Sequence, residues 1–285
     1  MCSLLLGLGI AGSCFLNGRT IHLDYASHLP FALGLSIDRL SGFFLALICG
    51  LGIPVALFSA SYAEHYTRAR WKWYWRLLPL FLFSMVLVIV SSTVFVFMAG
   101  WELMTLLSGG LIVIEGDSQD RRRGLFIYLA MMHAGAAAVF GAFLLFVPGA
   151  PSLTFEAIRA AGHGFSPQMR TAVFLLAFAG FGAKAGIIPL HLWLPKAHPI
   201  APSPVSALMS AVMLKIAVYG FIRLTFDVLG TPQIWWGYLV LVAGIVTAVL
   251  GILYALAEHT LKRLLAYSSI DNIGLIFVAL GLALV

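Results

Sequence analysis

Nine blocks of apolar sequence, each roughly 16–24 residues long, leave this chain few ways to fold, because that length crosses about 30 Å of hydrocarbon at 1.5 Å per helical residue. They fall at about 1–16, 40–60, 77–91, 94–114, 124–147, 170–189, 203–226, 235–257 and 264–285. With 61% hydrophobic and only 10% charged residues, the chain lies far from a soluble domain, which carries about 25% charged residues. Water could not wet such a surface, so a soluble fold is excluded. Backbone polar groups find no partner in lipid outside a helix or a closed barrel. The expected fold class is therefore an all-α polytopic membrane protein of about nine transmembrane helices.

The net charge of +6 does not point to nucleic acid. The basic residues are scattered through connectors and form no stripe. Their distribution instead orients the chain. Alternating the connectors between two sides collects Arg68, Arg70, Lys72, Arg76, Arg121, Arg122, Arg123, Lys196, Lys262 and Arg263 on one side, against Arg19, Arg39, Arg159, Arg170 and Arg223 on or near the other. The first side, with loops 61–76, 115–123, 190–202 and 258–263, is expected to be cytoplasmic in a cell inner membrane. Trp71, Trp73, Trp75, Trp235 and Trp236 sit at span edges, where indoles favour the interface. The first block lacks a basic leader and is taken as a membrane helix rather than a secretory signal. Cys2, Cys14 and Cys49 show no metal-like spacing and are expected to be packing residues.

Between Gly186 and Pro204 five prolines, Pro189, Pro195, Pro199, Pro202 and Pro204, interrupt apolar sequence around Leu190-His191-Leu192-Trp193-Leu194. Proline removes a backbone donor and clashes with the preceding turn, so no continuous helix passes here. Two readings stand: an ordinary surface loop, or a broken helix lining a wet cavity of the kind that marks ion sites in transporters.

Ionisable residues occur where a bilayer makes them costly. Glu102 lies inside the fourth span, Lys184 inside the sixth and Lys215 near the middle of the seventh; a charge at the bilayer centre costs about 2.5–3.5 kcal/mol on insertion scales. Snorkelling cannot serve Lys215, which is too far from either end. Two explanations remain, a structural ion pair between Glu102 and a lysine and a proton relay along a hydrated path. Burial favours the neutral form of an ionisable group, and that is what lets carboxylates and amines exchange protons near neutrality. His133, inside the fifth span, is read as a relay residue against the alternative of an interhelical hydrogen bonder. Asp271, near the start of the last span, is either interfacial or part of the relay. Glu115, Asp117 and Asp120 beside the Arg121–Arg123 run are expected to form a solvated loop. His191 and His198 are too few for a metal site. No glycine-rich phosphate loop, paired-cysteine motif or nucleophile–base arrangement appears, so no cofactor, metal or catalytic residue is expected, and redox chemistry is left to partners.

The same residues carry a family resemblance. The run Lys184-Ala185-Gly186-Ile187-Ile188-Pro189-Leu190-His191-Leu192-Trp193-Leu194-Pro195-Lys196-Ala197-His198-Pro199, its continuation through Ala201-Pro202-Ser203-Pro204 to Lys215, the motif Trp101-Glu102-Leu103-Met104 and the motif Leu261-Lys262-Arg263-Leu264-Leu265-Ala266-Tyr267-Ser268-Ser269 resemble the antiporter-like subunits of complex I, multisubunit Na⁺/H⁺ antiporters and group 4 membrane-bound hydrogenases. The wording from Ala197 to Pro204 and the His133 helix are most similar to the hydrogenase branch, such as formate hydrogenlyase. The resemblance covers about residues 35–285.

It implies a membrane-embedded Glu102–Lys184 pair, a relay lysine at Lys215 and a second, inverted repeat whose corresponding helix begins at Lys262. It divides the chain into N-terminal helices at 1–76, a first repeat at 77–230 and the start of a second repeat at 231–285. The family usually has about fourteen helices, so the chain resembles a fragment, a truncated form or a split subunit. The function implied is a membrane-arm subunit moving protons or Na⁺, coupled to redox chemistry in other membrane and peripheral subunits. The alternatives are an antiporter module without redox coupling and a non-pumping scaffold.

Overall fold

The computed structural model describes residues 2–25, 33–230 and 232–285. Met1, in the first expected span, lies outside them. Each expected span coincides with helix: α1 (Cys2–Asn17), α2 (Arg39–Tyr62), α3 (Arg68–Val90), α4 (Val94–Ile114) and α5 (Gln119–Leu144) in the first part of the chain. A short helix, α6 (Phe155–His163), precedes α7 (Pro167–Ala185). The proline-rich stretch holds α8 (Leu194–Ile200), and the seventh span is a column of α9 (Ser203–Leu208), a π-helical turn at Met209–Met213, α10 (Leu214–Ile222) and a second π-helical turn at Arg223–Val228. The chain closes with α11 (Ile234–Ala257) and α12 (Leu261–Leu284). Seven spans among the described residues are long and apolar enough to cross a membrane; α1 is shorter, and α7 carries Arg170 and Lys184.

The connectors do more than the sequence pattern implied. The one after α1 contains strands β1 (Ile21–Tyr25) and β2 (Leu33–Ile37), an antiparallel pair with Ile21 opposite Ile37 and Leu23 opposite Leu35. This hairpin hydrogen-bonds the α3–α4 turn, Ser92 N donating to Gly34 O at 3.0 Å. That turn in turn holds the start of α6, Phe155 N donating to Ser92 O at 2.9 Å. Helix α3 also begins nine residues earlier than the apolar block, at Arg68 rather than 77. Helical hydrogen bonding is indifferent to side-chain polarity, and Arg, Lys and Trp are adequate helix formers, so hydropathy marks where the bilayer starts and not where the helix does.

Local chemistry sets most helix starts. Asp38 caps α2 by accepting from Ser41 N at 2.8 Å, and Thr93, Ser118 and Thr154 cap α4, α5 and α6 in the same way. Ser166 caps α7, with Pro167 at the first helical position, where a missing N–H costs nothing. Helix α7 stops at Gly186, whose φ of 88° is the left-handed cap that glycine adopts without penalty.

Close helix packing rests on small residues, as expected in lipid, where apolar contact alone gives no preference for protein over tails. A Cβ at Gly180 of α7 would sit 2.6 Å from the Gly135 carbonyl of α5, so these two helices touch backbone to backbone. The same holds for α11 and α12, where a Cβ at Gly251 would meet the Asp271 amide at 2.7 Å. The buried core runs through the aromatic cluster of Phe97, Trp101, Phe143, Phe155 and Phe181; Trp101 and Phe181 meet edge to face at 5.3 Å.

Candidate functional site

Lys184 sits one residue before the end of α7, immediately ahead of the break, and is 2% exposed. Its ammonium is held from α4. Nζ donates to Thr105 Oγ1 at 2.8 Å and to the Trp101 carbonyl at 3.3 Å, and it lies 4.2 Å from the Trp101 ring centroid. Trp101 and Thr105 are four residues apart, so a helix stacks them on one face. All three partners are neutral. No direct ion pair to Lys184 forms among the described residues; the Glu102 carboxylate, which the family resemblance pairs with Lys184, acts on the ammonium through space rather than by contact.

Glu102 follows Trp101 in sequence and so points to a different face of α4. Its partner is His133 of α5, Nε2 to Oε2 at 3.4 Å, with side-chain exposures of 50% for the histidine and 34% for the glutamate. The other imidazole nitrogen, Nδ1, is 2.7 Å from the Leu129 carbonyl. A carbonyl only accepts, so Nδ1 carries a proton, and the contact with Glu102 is attractive when one further proton lies between the two groups. This pair faces outward at the depth of the fourth and fifth spans.

From Lys184 a line of hydroxyls runs inward along α4. Thr105 donates to the Trp101 carbonyl at 3.3 Å, Ser108 donates to the Thr105 carbonyl at 2.9 Å, and Ser108 and Tyr128 share a hydrogen bond at 2.5 Å. The Tyr128 hydroxyl ends 3.9 Å from Met213 Sδ in the first π-helical turn. Two residues on, Lys215 is half-buried and donates from Nζ to the Ser210 carbonyl at 2.9 Å. The sequence reading named neither Thr105, Ser108 nor Tyr128. Their hydroxyls at positions 105 and 108, a turn below the Glu102 motif, were the available signal.

The proline-rich stretch is a broken helix and not a surface loop. Trp193, fully buried, donates from Nε1 to the Ala183 carbonyl at 2.8 Å, freed by the end of α7. Ile188 N donates to Thr247 Oγ1 of α11 at 3.1 Å, and the Ile188–Pro189 bond is cis. Pro195 opens α8 within its first turn, and Pro199 lies inside it. His191 is 8% exposed and stacks on Tyr254 at 6.5 Å. His198 is 2% exposed, its Nδ1 is 2.7 Å from Ser206 Oγ, and its Nε2 has no hydrogen-bond partner. Lys262 at the start of α12 crosses to this break and donates to the Ala201 carbonyl at 2.8 Å. Asp271 has its backbone against Gly251 and forms no ion pair among the described residues.

Two further charged groups depart from the sequence reading. Glu115 is not simply part of a solvated loop, since it accepts from Tyr62 and Tyr66, each at 2.7 Å, and burial together with that carboxylate pushes the Tyr66 phenol up. Asp117 does lie in the solvated loop, paired with Arg122 at 2.6 Å and exposed. At the far end of the seventh span a network appears that the sequence reading did not assemble. Arg223 donates to both Asp38 oxygens at 2.6 and 2.8 Å and to Asp227 at 3.0 Å, and Arg159 forms a second fork on Asp227 at 2.8 and 2.6 Å. Burial opposes charge on Asp38, yet the Arg223 guanidinium and Ser41 hold its carboxyl down at about 2. The spacing of Arg223 and Asp227, four apart on a helix, was the legible part of this cluster.

The family described as NADH:quinone oxidoreductase/Mrp antiporter, TM matches residues 91–284, more than half of the chain and all of the polar line above. The chain belongs to this antiporter-like membrane family. Among its relatives, Hydrogenase-4 component B of Escherichia coli (strain K12) is 42% identical over 272 residues, covering 94% of this chain and 40% of that protein. Formate hydrogenlyase subunit 3 of the same organism is 49% identical over 109 residues, covering 38% of this chain and 18% of that one. Among solved structures, the Mrp complex from Dietzia sp. DQ12-45-1b shares the fold with a TM-score of 0.85 at 22% identity, over 99% of this chain and 53% of that one. A membrane-bound sulfane sulfur reductase, an archaeal respiratory membrane complex, matches with a TM-score of 0.82 at 25% identity, over 98% and 45%. The chain thus spans about half or less of the length of these relatives.

Proposed function

We propose that this chain is the proton-carrying part of a membrane subunit that moves protons across the bilayer, driven by redox chemistry in partner subunits. The observation that carries this reading is Lys184, a buried amine held by a hydroxyl, a carbonyl and an indole face with no carboxylate in contact. A lysine retained for structure alone is best served by an ion pair, because removing two charges from water is repaid only by close opposite charge. Neutral donors and acceptors instead hold an amine in either protonation state, which is what a relay needs.

In the proposed cycle the Glu102–His133 pair takes up or gives up its shared proton, changing the field at Trp101, the neighbouring residue that carries the Lys184 contacts. Lys184 then releases its proton to water bridging the hydroxyls of Thr105, Ser108 and Tyr128, of which only Ser108 and Tyr128 bond each other directly, towards the turn that bears Lys215. An ammonium only donates and repels a cation, so two lysines along one line support H⁺ over Na⁺ as the ion carried. The half-exposed Glu102–His133 pair at membrane depth supports a protein neighbour on that face, because lipid offers it no compensation. Identity to hydrogenase subunits supports a redox-driven complex, and the basic loops support a cytoplasmic placement of the Lys262 side of an inner membrane.

The test is Lys184→Met in the complex purified with its native partners and reconstituted into vesicles. Proton flux is expected to fall to background with the complex still assembled. Flux at the unmutated rate would sink the relay and favour a scaffold.

A further inference from the structure

Lys215 lies five residues after Ser210, an odd spacing for a shared helix face. An α-helix stacks residues three and four apart. The π-helical turn at Met209–Met213 adds one residue to that turn, and the extra residue returns Lys215 to the face that carries Ser206 and Ser210. Its ammonium accordingly rests on the Ser210 carbonyl at 2.9 Å. π-helical turns cost hydrogen-bond geometry and are kept where a side chain must be re-aimed.

The Ser210 hydroxyl does not turn back to its own helix. It meets Ser269 of α12 at 2.6 Å, and Ser269 also donates to the Leu265 carbonyl at 2.8 Å. Ser269 is 6% exposed and Ser210 is half-buried, so the contact is a part-buried hydroxyl pair between two helices that each carry an ionisable group. Two turns earlier on α12 stands Lys262, on the Ala201 carbonyl of the break. One turn earlier than Ser210 stands Ser206, paired with His198, whose Nε2 is buried without a partner. Polar groups therefore follow one another down a single seam, from Lys262 at the break, through His198 and Ser206, to Ser210 with Ser269, and then to Lys215.

We propose that Ser210 and Ser269 form the joint through which protons pass between the Lys262 side of the membrane and Lys215. The inference rests on the relay role of Lys215 in the proposed function. In the step, one serine oxygen accepts an incoming proton while its own hydroxyl proton moves to the other serine, whose own proton passes to a bridging water and from it to the Lys215 amine, because Lys215 Nζ meets the Ser210 carbonyl and neither hydroxyl. No bond other than O–H and N–H changes, and each serine ends with one proton. The single-turn step between Ser206 and Ser210, about 5–6 Å between Cβ atoms, is the length that one bridging water covers.

The experiment measures proton flux in vesicles carrying the assembled complex with Ser210→Ala, Ser269→Ala, both together, each serine changed to Thr, and Lys215→Met. Each alanine variant is expected to slow flux at least tenfold, and the double variant no further, because both remove the same joint. The threonine variants, which keep the hydroxyl, are expected to return to within about threefold of the unmutated rate. Should an alanine variant fail to assemble, Ser→Cys at the same position, close in volume but a weak hydrogen bonder, gives the same measurement. Unmutated flux in the double alanine or cysteine variant while Lys215→Met is inactive overturns the joint and leaves the relay standing. Losses that multiply in the double variant, or that threonine does not restore, also overturn it by showing two packing defects. Flux that survives Lys215→Met overturns the relay itself.

Discussion

Lys184 and Arg223 are both cations drawn into the helix bundle, and the protein treats them in opposite ways. Around Arg223 the charges balance, two arginines against Asp38 and Asp227, with forked contacts at 2.6–3.0 Å. Guanidinium keeps its proton under all ordinary conditions, so this cluster can only hold things in place. It ties the turn before α2 to the end of the seventh span and to α6. Around Lys184 the charge is met by dipoles and a ring face, and an amine can lose its proton without leaving an unpaired carboxylate behind. Compensation by opposite charge makes an anchor. Compensation by neutral groups is what the proposed relay at Lys184 requires.

That contrast can be broken most decisively at Lys184 itself, where Lys184→Met is expected to abolish flux while thermal stability in detergent changes little. Arg223→Ala is expected to do the reverse. Leaving Asp38 and Asp227 without their shared cation is expected to cost about 3 kcal/mol of stability, read as a lowered unfolding temperature, while flux per assembled complex stays within about twofold. If Arg223→Ala instead removes flux from fully assembled complex, the anchor reading is wrong.

A smaller effect is expected for Thr105→Val, which keeps shape and deletes the hydroxyl beside Lys184. A hydrogen bond to a charged group is worth about 1.5–3 kcal/mol, so flux is expected to fall about tenfold, far short of the loss in Lys184→Met. Equal loss in both variants would mean that the hydroxyl is as necessary to the transfer as the amine.

The smallest effect concerns acid. The Asp38 carboxyl is held at about 2, below its ordinary 3.8. The stability it contributes is therefore complete above pH 4 and lost as pH falls through 2. After allowing for solvent screening at its exposed edge, the change is expected to be at most about 1 kcal/mol. Asp38→Asn is expected to flatten that part of the stability profile between pH 4 and 2; an unchanged profile would show that the ion pair with Arg223 adds no net stability.

The spans were legible because hydropathy and length alone dictate them. Val94–Ile114 matches its apolar block to the residue, and the break after Lys184 follows from five prolines that no helix can absorb. Glu102, His133, Lys184 and Lys215 were legible as costly charges. The β1–β2 pair was not, because the turn that it hydrogen-bonds, at Ser92, is distant in sequence, and neither was Glu115, whose two phenol donors come from the end of α2 and the turn after it.

Composition and periodicity alone determined that this chain crosses a membrane, where its helices break and which charges lie at depth, since each of these depends on residues close together along the chain. Which of those charges touch was decided only in three dimensions. Lys184 meets Thr105 and Trp101 rather than Glu102, Glu102 meets His133, and Lys215 is turned onto Ser210 by an added residue in a π-helical turn. The physical reason is rotational: a step of one residue turns a side chain about 100° around its helix, and only the packing of neighbouring helices states which face looks where.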